Sequence, residues 1–331
     1  MDELTWTVKR VLEWIEGYLS KRGDENPRIS AQWLVSEALG VSRMQLFVDA
    51  ERPLTEDERA VLRDWTRRRG AGEPLQYITG EVGFRHITVK VAPGVLIPRP
   101  ETEVLVSEAL ALLPPAPKPQ DDLDGQIIKM FVELGGELPG SESEEPMGDS
   151  NEKSKELLVA DICTGSGCIA CSIAYEHPLT KVVATDISTE ALELASINVN
   201  DLGLGERVEL LECDLGNAVD AALMGTFDLV VSNPPYIPTS VLQEVSSEVS
   251  EYEPLLALDG GQDGLAVFRR LLEWTTRALA PGGAVAFELH ETCLEAASEE
   301  ARAAGFEEVR IVYDLSERPR VLVGRKSGPH F

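Results

Sequence analysis

An α/β fold organised on a parallel sheet, with a small helical domain ahead of it, is what this 331-residue sequence predicts. Three observations carry that prediction. Single cores stop growing near ~250–300 residues, so a chain of this length divides into more than one unit. From Leu157 onward, apolar strand-like runs alternate with segments of helical period, the βαβ pattern of a parallel sheet. The first of those runs ends in a glycine-rich turn, and an aspartate closes the second.

The elements follow in order. Leu4, Val8, Val11, Leu12, Ile15 and Leu19 repeat at helical spacing, and Gly23 lies beyond the end. Ser30 opens a second helix that stops at Gly40. Thr55-Glu56-Asp57-Glu58 is a capping-box pattern that starts a third, which runs to Arg67-Arg68-Arg69 before Gly70. Cations in a last helical turn complement the helix dipole, so the arginine cluster has a structural reason to be there. Residues 1–73 are thus expected to form a helical N-terminal domain. In 74–99, Tyr77-Ile78-Thr79 and Ile87-Thr88-Val89-Lys90-Val91, separated by Gly80 and Gly83, read as a β-hairpin linker. Pro100 suits the first turn of a helix covering Glu101 to Leu113.

Residues 100–331 are expected to form one domain, interrupted at 114–156. That stretch opens with Pro114-Pro115-Ala116-Pro117 and continues into Ser141-Glu142-Ser143-Glu144-Glu145. Such composition buries too little apolar surface to offset its ordering entropy and reads as a disordered acidic insertion, with a short helix expected only at Ile127 to Leu134. Beyond it the expected strands are Leu157–Ile162, Lys181–Thr185, Val208–Leu211, Phe227–Ser232 and Ala284–Leu289. The expected helices are Cys168–Glu176, Thr189–Asp201, Leu265–Leu279 and Glu291–Ala304. Glu307–Tyr313 and Arg320–Val323 have too few residues between them for a parallel crossover, so they are expected as an antiparallel pair at the sheet edge.

Charge and composition exclude several classes. Hydrophobic residues at 43% and charged residues at 26% are globular values, which rules out a wholly disordered chain. The net charge of −27 repels phosphate backbones and anionic lipid surfaces. No direct nucleic-acid or membrane partner is therefore expected. No apolar run reaches the ~18 residues of a membrane span, and Met1-Asp2-Glu3-Leu4 lacks the basic start of a signal peptide. The cytoplasm is the expected compartment, with the five cysteines reduced. Cys168-Ile169-Ala170-Cys171 has no second Cys/His pair at ligand spacing, so these residues are expected to pack a helix and no metal is predicted.

Two constellations carry chemistry. In Cys163-Thr164-Gly165-Ser166-Gly167, the glycines let the backbone approach a ligand at a helix N-terminus. Asp186 ends the next strand about 20 residues on, where a carboxylate can accept ribose hydroxyls. Together they predict a nucleoside ligand without naming it. The fourth strand runs into Asn233-Pro234-Pro235-Tyr236. Consecutive prolines stop strand pairing and remove N–H donors, leaving the Asn233 side-chain oxygen and the Pro234 carbonyl as acceptors for the two hydrogens of a planar –NH2 group. Tyr236 offers an aromatic face to pack on that group. Such a grip suits methyl transfer to an amide or aryl amine, because it can favour the pyramidal nitrogen of the transition state.

On these residues the sequence resembles the HemK/PrmC family of protein-(glutamine-N5) methyltransferases. The likeness also covers Pro74-Leu75-Gln76-Tyr77-Ile78-Thr79-Gly80, the segment Gly94 to Glu103, Leu256-Ala257-Leu258-Asp259-Gly260-Gly261-Gln262-Asp263-Gly264, and Arg318-Pro319-Arg320. It implies a class I S-adenosylmethionine-dependent methyltransferase domain: a Rossmann-like seven-stranded sheet with one antiparallel strand, after a helical substrate-recognition domain and a β-hairpin hinge. It also implies S-adenosyl-L-methionine as cofactor, against residues 163–167, with Asp186 on the ribose and Asp214-Leu215 near the adenine, the cofactor also meeting Asn233. The implied substrate is the glutamine of the Gly-Gly-Gln loop of class-1 peptide chain release factors, and the expected state is a monomer. Cys163 stands where the family usually has Gly, Leu215 where an aromatic often stands, and Glu288-Leu289-His290 lacks a common Gly. Three other readings compete: a DNA adenine-N6 methyltransferase, disfavoured by charge; a nicotinamide oxidoreductase, which has no use for the double acceptor; and a non-catalytic nucleoside-binding protein.

Overall fold

The computed structural model describes residues 5–116, 155–242 and 251–328. Most of 114–156, including the helix expected at Ile127 to Leu134, lies outside the described residues.

Helix α1 spans Val8–Lys21, beginning later than the apolar pattern because Thr7 caps it by accepting the Arg10 N–H. Its buried residues Val8, Val11, Ile15 and Leu19 form one stripe. Helix α2, Pro27–Leu39, starts three residues before the expected Ser30. Pro27 needs no N–H partner in a first turn, and the Ser30 hydroxyl instead donates to Asp24 Oδ2 at 2.9 Å. A short helix α3, Gln45–Val48, was not signalled by the sequence pattern. Helix α4, Glu56–Arg69, carries the full capping box, with Glu58 N–H donating to Thr55 Oγ1 at 3.2 Å and Thr55 N–H to Glu58 Oε2 at 2.8 Å. Val8, Ile15, Leu34, Leu46 and Leu62 close an apolar cluster of their own. Each such burial contributes roughly 1.5–3 kcal/mol. Arg67 and Arg68 pair with Asp64 and Glu73, and Arg69 with Asp24.

The first half of the expected hairpin is corrected. Leu75–Thr79 is a helical turn, α5, set off by Pro74 and closed by Gly80 at φ 82°. The hairpin comes after it, from β1 (Glu81–Phe84) and β2 (Ile87–Lys90). Tyr77 therefore turns inward, and its hydroxyl donates to the Val95 carbonyl at 2.7 Å. Helix α6 covers Thr102–Leu112.

The remaining elements are β3 (Leu157–Ile162), α7 (Cys168–Glu176), β4 (Thr180–Asp186), α8 (Thr189–Asp201), β5 (Val208–Glu212), β6 (Phe227–Ser232), α9 (Ala266–Ala278), β7 (Leu279–Glu288), α10 (Leu294–Ala303), β8 (Phe306–Tyr313) and β9 (Pro319–Lys326). They build a seven-stranded sheet of order β5-β4-β3-β6-β7-β9-β8. Strand β7 begins at Leu279, earlier than expected, because Leu279 pairs Phe227 before the ladder resumes at Leu229 and Ala284. Its Pro281-Gly282-Gly283 stretch hid that start. The last two strands do pair antiparallel, but only β9 runs against the sheet, and it inserts between β7 and β8. Helix α10 carries the chain past one strand position, and β9 returns to fill it.

Successive strand residues face opposite sides of a sheet. Val159, Leu229, Val231 and Ala286 pack on one side under Leu105, Val106 and Ile169, with the buried Cys168 and Cys171 among them. Ala160, Ile162, Val230 and Phe287 pack on the other under Phe268, Leu271, Trp274 and Leu294. The strand order reverses between β3 and β6. In open α/β sheets, ligands sit outside the carboxyl ends of the strands at such a switch point.

Candidate active site

A cavity of about 450 Å³ opens at that switch point. A second, of about 480 Å³, lies at the opposite, amino ends of the strands, against Leu113, His177, Asp228 and Gly282. The switch-point cavity is the candidate site, because it alone is bordered by the turns that the sequence singled out. Cys163, Thr164, Gly165 and Ser166 line it from β3, Asp186 from β4, Asp214 and Leu215 from β5, and Asn233 and Pro235 from β6.

The glycine turn is held from beneath by Asp161, a residue the sequence reading passed over. Its carboxylate is fully buried, and Oδ2 accepts the Thr164 hydroxyl at 2.6 Å and the Ala170 N–H at 3.0 Å. Burial pushes this carboxyl up to about 7. The bonds join both ends of the turn, so its shape is fixed before any ligand arrives. Cys163 adopts φ 61°, a conformation easy for glycine and uncommon for a residue with a side chain, and burial drives its thiol far above the reactive range. Gly165, at φ 55°, has open space where a Cβ would stand. Gly167 serves a different purpose: an added Cβ would meet Ala195 Cβ of α8 at 3.1 Å, and the residue does not border the cavity.

Asp186 accepts the Gly165 N–H on Oδ2 at 2.8 Å and the Ser188 N–H on Oδ1 at 3.0 Å. It therefore ties the glycine turn to the start of α8, and burial raises its pKa. Lone pairs remain on both oxygens for further donors. Leu215, at φ 54°, is held by the Thr185 hydroxyl, which donates to its carbonyl at 2.7 Å. Asp214 pairs with Arg270 of α9, which also lines the cavity.

Asn233 Nδ2 donates to Thr102 Oγ1 at 3.3 Å. This leaves its side-chain oxygen as the group able to accept at the cavity. Pro234 and Tyr236 stand behind the wall that Asn233 and Pro235 form. Tyr236 does not present a face there: its hydroxyl donates to Glu288 Oε1 at 3.0 Å. The turn is braced from outside. Ile237 N–H donates to the Leu258 carbonyl and Gly260 N–H to the Ile237 carbonyl, each at 2.9 Å. A Cβ on Gly260 would lie 2.7 Å from the Tyr236 backbone. Gly260→Ala is therefore expected to displace the turn and slow turnover at least ~10-fold while sparing the glycine-turn wall of the cavity, because small misplacements at a reacting centre cost about that much or more. Steady-state kinetics beside cofactor calorimetry check this.

The far wall was also missed. Gly94 to Arg99 and Thr102 close the cavity opposite the strands, and Arg99 Nη2 reaches both oxygens of the buried Glu253 at 2.7 Å. The Gly94–Glu103 resemblance was the signal available, although position along the chain suggested only a helix entry.

A sheet of this order, with a glycine turn, a strand-end aspartate and Asn-Pro-Pro-Tyr at its switch point, defines a class I methyltransferase, whose methyl donor is S-adenosylmethionine. Residues 10–80 match the family model described as PrmC N-terminal domain, and 150–249 match Methyltransferase small domain. The chain is 35% identical over 327 residues to the release factor glutamine methyltransferase of Rhodopirellula baltica, covering 98% of each. It is 39% identical over 284 residues to the protein of that name from Geobacter sulfurreducens, covering 86% of this chain and 84% of that one. Among solved structures, the protein-(glutamine-N5) methyltransferase (release factor-specific) from Alicyclobacillus acidocaldarius is 26% identical over 72% of this chain and 99% of its own, with a TM-score of 0.36. The chain belongs to the release factor glutamine methyltransferase family, and it is an enzyme.

Proposed function

We propose that this enzyme methylates the side-chain amide nitrogen of a glutamine, the one in the Gly-Gly-Gln loop of a class-1 peptide chain release factor. The observation that carries the reading is the hydrogen bond from Asn233 to Thr102. It engages the Asn233 –NH2 on Thr102 and leaves Oδ1 as the acceptor this residue can offer to the cavity it lines.

The residues present fit S-adenosylmethionine. Open backbone at Gly165, the Asp186 carboxylate and the apolar Leu215 border one cavity. When bound, this cofactor supplies an electrophilic methyl group on a sulfonium. Gly165 and its neighbours would hold its amino-acid end, Asp186 the ribose hydroxyls, and Leu215 with Asp214 the adenine. Asn233 Oδ1 would accept one N–H of the substrate amide, and the Pro234 carbonyl would accept the other once the turn moves Pro234 from behind the wall to the cavity surface. Two acceptors pull the hydrogens out of the amide plane and return electron density to a nitrogen whose lone pair is otherwise delocalised. The nitrogen would gain the methyl group as the methyl–sulfur bond breaks and the sulfur leaves as a neutral thioether; the alkylated nitrogen is acidic, and one N–H proton leaves to solvent.

A macromolecular substrate is supported by Leu255 and Leu256, exposed at 61% and 60% beside the cavity. Adjacent exposed leucines at a cavity mouth are apolar surface of the kind that a protein partner covers. Residues 1–73 are assigned to recognition of the release factor, with 74–99 as the hinge and 100–331 as the catalytic domain. Tyr252, whose hydroxyl donates to the Ala71 carbonyl at 3.1 Å, links the helical segment to the cavity mouth. A charge of −27 opposes a DNA substrate. No helix among the described residues is long and apolar enough to cross a membrane, and a monomeric cytoplasmic enzyme suits a substrate of the translation machinery.

The test is incubation with methyl-labelled cofactor and purified release factor, followed by peptide mass mapping. One methyl on the Gly-Gly-Gln glutamine is the expected result. Label on another residue, or none, overturns the reading.

A further inference from the structure

The far wall of the cavity carries a cation that the reaction above leaves unused. Arg99 lines the cavity and stands between Pro98 and Pro100, whose rings restrict the backbone on both sides of it. Its carbonyl accepts the Thr102 N–H at 3.1 Å, which ties it to the first turn of α6 and to the residue that receives the Asn233 amide. One nitrogen of the guanidinium is committed: Nη2 donates to both oxygens of Glu253 at 2.7 Å, and the Glu253 side chain is 2% exposed. Nε and Nη1 have no hydrogen-bond partner among the described residues, and neither is sealed from solvent. The Arg99 side chain is 33% exposed and borders the cavity, so these two nitrogens are open to a group that enters it.

The chemistry of the pair selects what those donors take. A guanidinium is permanently charged and presents its N–H groups in a fixed fork. Glu253 offsets the charge but occupies one nitrogen, which leaves a site that is rich in donors and close to neutral. An anionic ligand there would meet the Glu253 carboxylate, whereas an uncharged carbonyl oxygen is not repelled. The side-chain carbonyl of the substrate glutamine is the wrong acceptor, because a charged donor on that oxygen draws electron density away from the nitrogen that must attack. Main-chain carbonyls remain. The two glycines that precede the glutamine offer no side chain, so a protein that reads this loop has to bond its backbone.

We infer that Arg99 is a substrate-binding residue: its Nε and Nη1 donate to main-chain carbonyl oxygens of the loop that carries the glutamine, and Glu253 holds the guanidinium in place for them. The inference rests on the proposed function and deepens it. Asn233 and Arg99 divide the work along one side of the cavity, the first gripping the side-chain amide and the second the backbone from which it hangs. The effect of Arg99 falls on the binding of the release factor and spares the binding of the cofactor.

Arg99→Lys separates the two duties of this side chain. A lysine ammonium can keep the ion pair with Glu253 but has no further nitrogen for the loop. Its KM for the release factor should rise at least ~10-fold, the size of loss expected when hydrogen bonds from a charged donor are removed. The dissociation constant for S-adenosylmethionine should stay within about twofold of wild type, and a cooperative melt should be retained. Glu253→Gln keeps an oxygen for Nη2 and both free donors of Arg99, so it should raise KM by less than Arg99→Lys does. A wild-type KM in Arg99→Lys overturns the inference. So does a cofactor affinity that falls in step with KM, which would make the cofactor carboxylate the partner of Arg99, and so does an equal rise in Glu253→Gln, which would make the ion pair itself the cause. If Arg99→Lys does not fold, the double variant Arg99→Met with Glu253→Leu decides, since an apolar pair of similar volume can replace a buried ion pair without loss of stability. It should show the same rise in KM at unchanged cofactor affinity, and a wild-type KM there overturns the inference. If the unaltered enzyme places no methyl on the release factor, the functional reading fails first and the inference falls with it.

Discussion

Asn233→Ala should lower turnover on the release factor about 10²–10³-fold while leaving S-adenosylmethionine affinity nearly unchanged. The size follows from removing one preorganised polar contact at a reacting centre. The separation follows from the layout: the surfaces proposed for the cofactor come from the turns after β3, β4 and β5, whereas Asn233 stands after β6 and is bonded to Thr102 on the far wall. Alanine removes the acceptor and leaves the prolines, so the turn itself should persist. Single-turnover rates with labelled cofactor, beside calorimetric binding, make the measurement. Near-normal turnover would mean that the amide is held by other groups, and Asn233–Tyr236 would be no more than a rigid strand ending.

Asp186→Ala should weaken S-adenosylmethionine binding at least tenfold. Charge-assisted hydrogen bonds contribute roughly 1.5–3 kcal/mol each, and ~1.4 kcal/mol is already a factor of ten. A second loss adds to the first, because the carboxylate also holds the Gly165 and Ser188 N–H groups. Asp186→Asn separates the two: one amide oxygen can still accept from the backbone, but the charge is gone. Its affinity should fall between wild type and alanine. Calorimetry showing unchanged affinity in both variants would remove Asp186 from the ribose.

Much of the catalytic sheet was legible because its signals are local. Leu157–Ile162 and Phe227–Ser232 are buried on both faces, and such strands read as unbroken apolar runs. Cys168–Glu176 and Thr189–Asp201 have the expected bounds because a Gly turn and a Ser cap precede them. Asp186, Gly165 and Asn233 could be picked out because each directly ends or follows a strand. Tyr77-Ile78-Thr79 misled: β-branched and aromatic residues favour strands, but Pro74 and a left-handed Gly80 impose a helical turn that no pattern in those three residues announces. Arg270 gave no signal because its partner, Asp214, lies far away in sequence. The bonds of Thr102 to Asn233 and of Glu288 to Tyr236 gave no signal for the same reason. Asp161 was overlooked although it lies in the strand that leads into the quoted turn, since a buried aspartate is recognised only once its partners are placed.

The placement of β9 bears on how the enzyme is made. Strand β7 cannot close its outer edge with β8, which comes next in sequence, because β9 lies between them. Val321 pairs Glu288, which receives the Tyr236 hydroxyl, and the Leu289 N–H donates to the Arg320 carbonyl at 3.0 Å, so the Asn-Pro-Pro-Tyr turn is backed by residues translated after β8. A nascent chain that has reached Tyr313 presents an open β7 edge and a solitary β8. Such long-range pairing must wait for distant partners. The ribosome therefore has to deliver Pro319–Lys326 before the acceptor end of the site is complete.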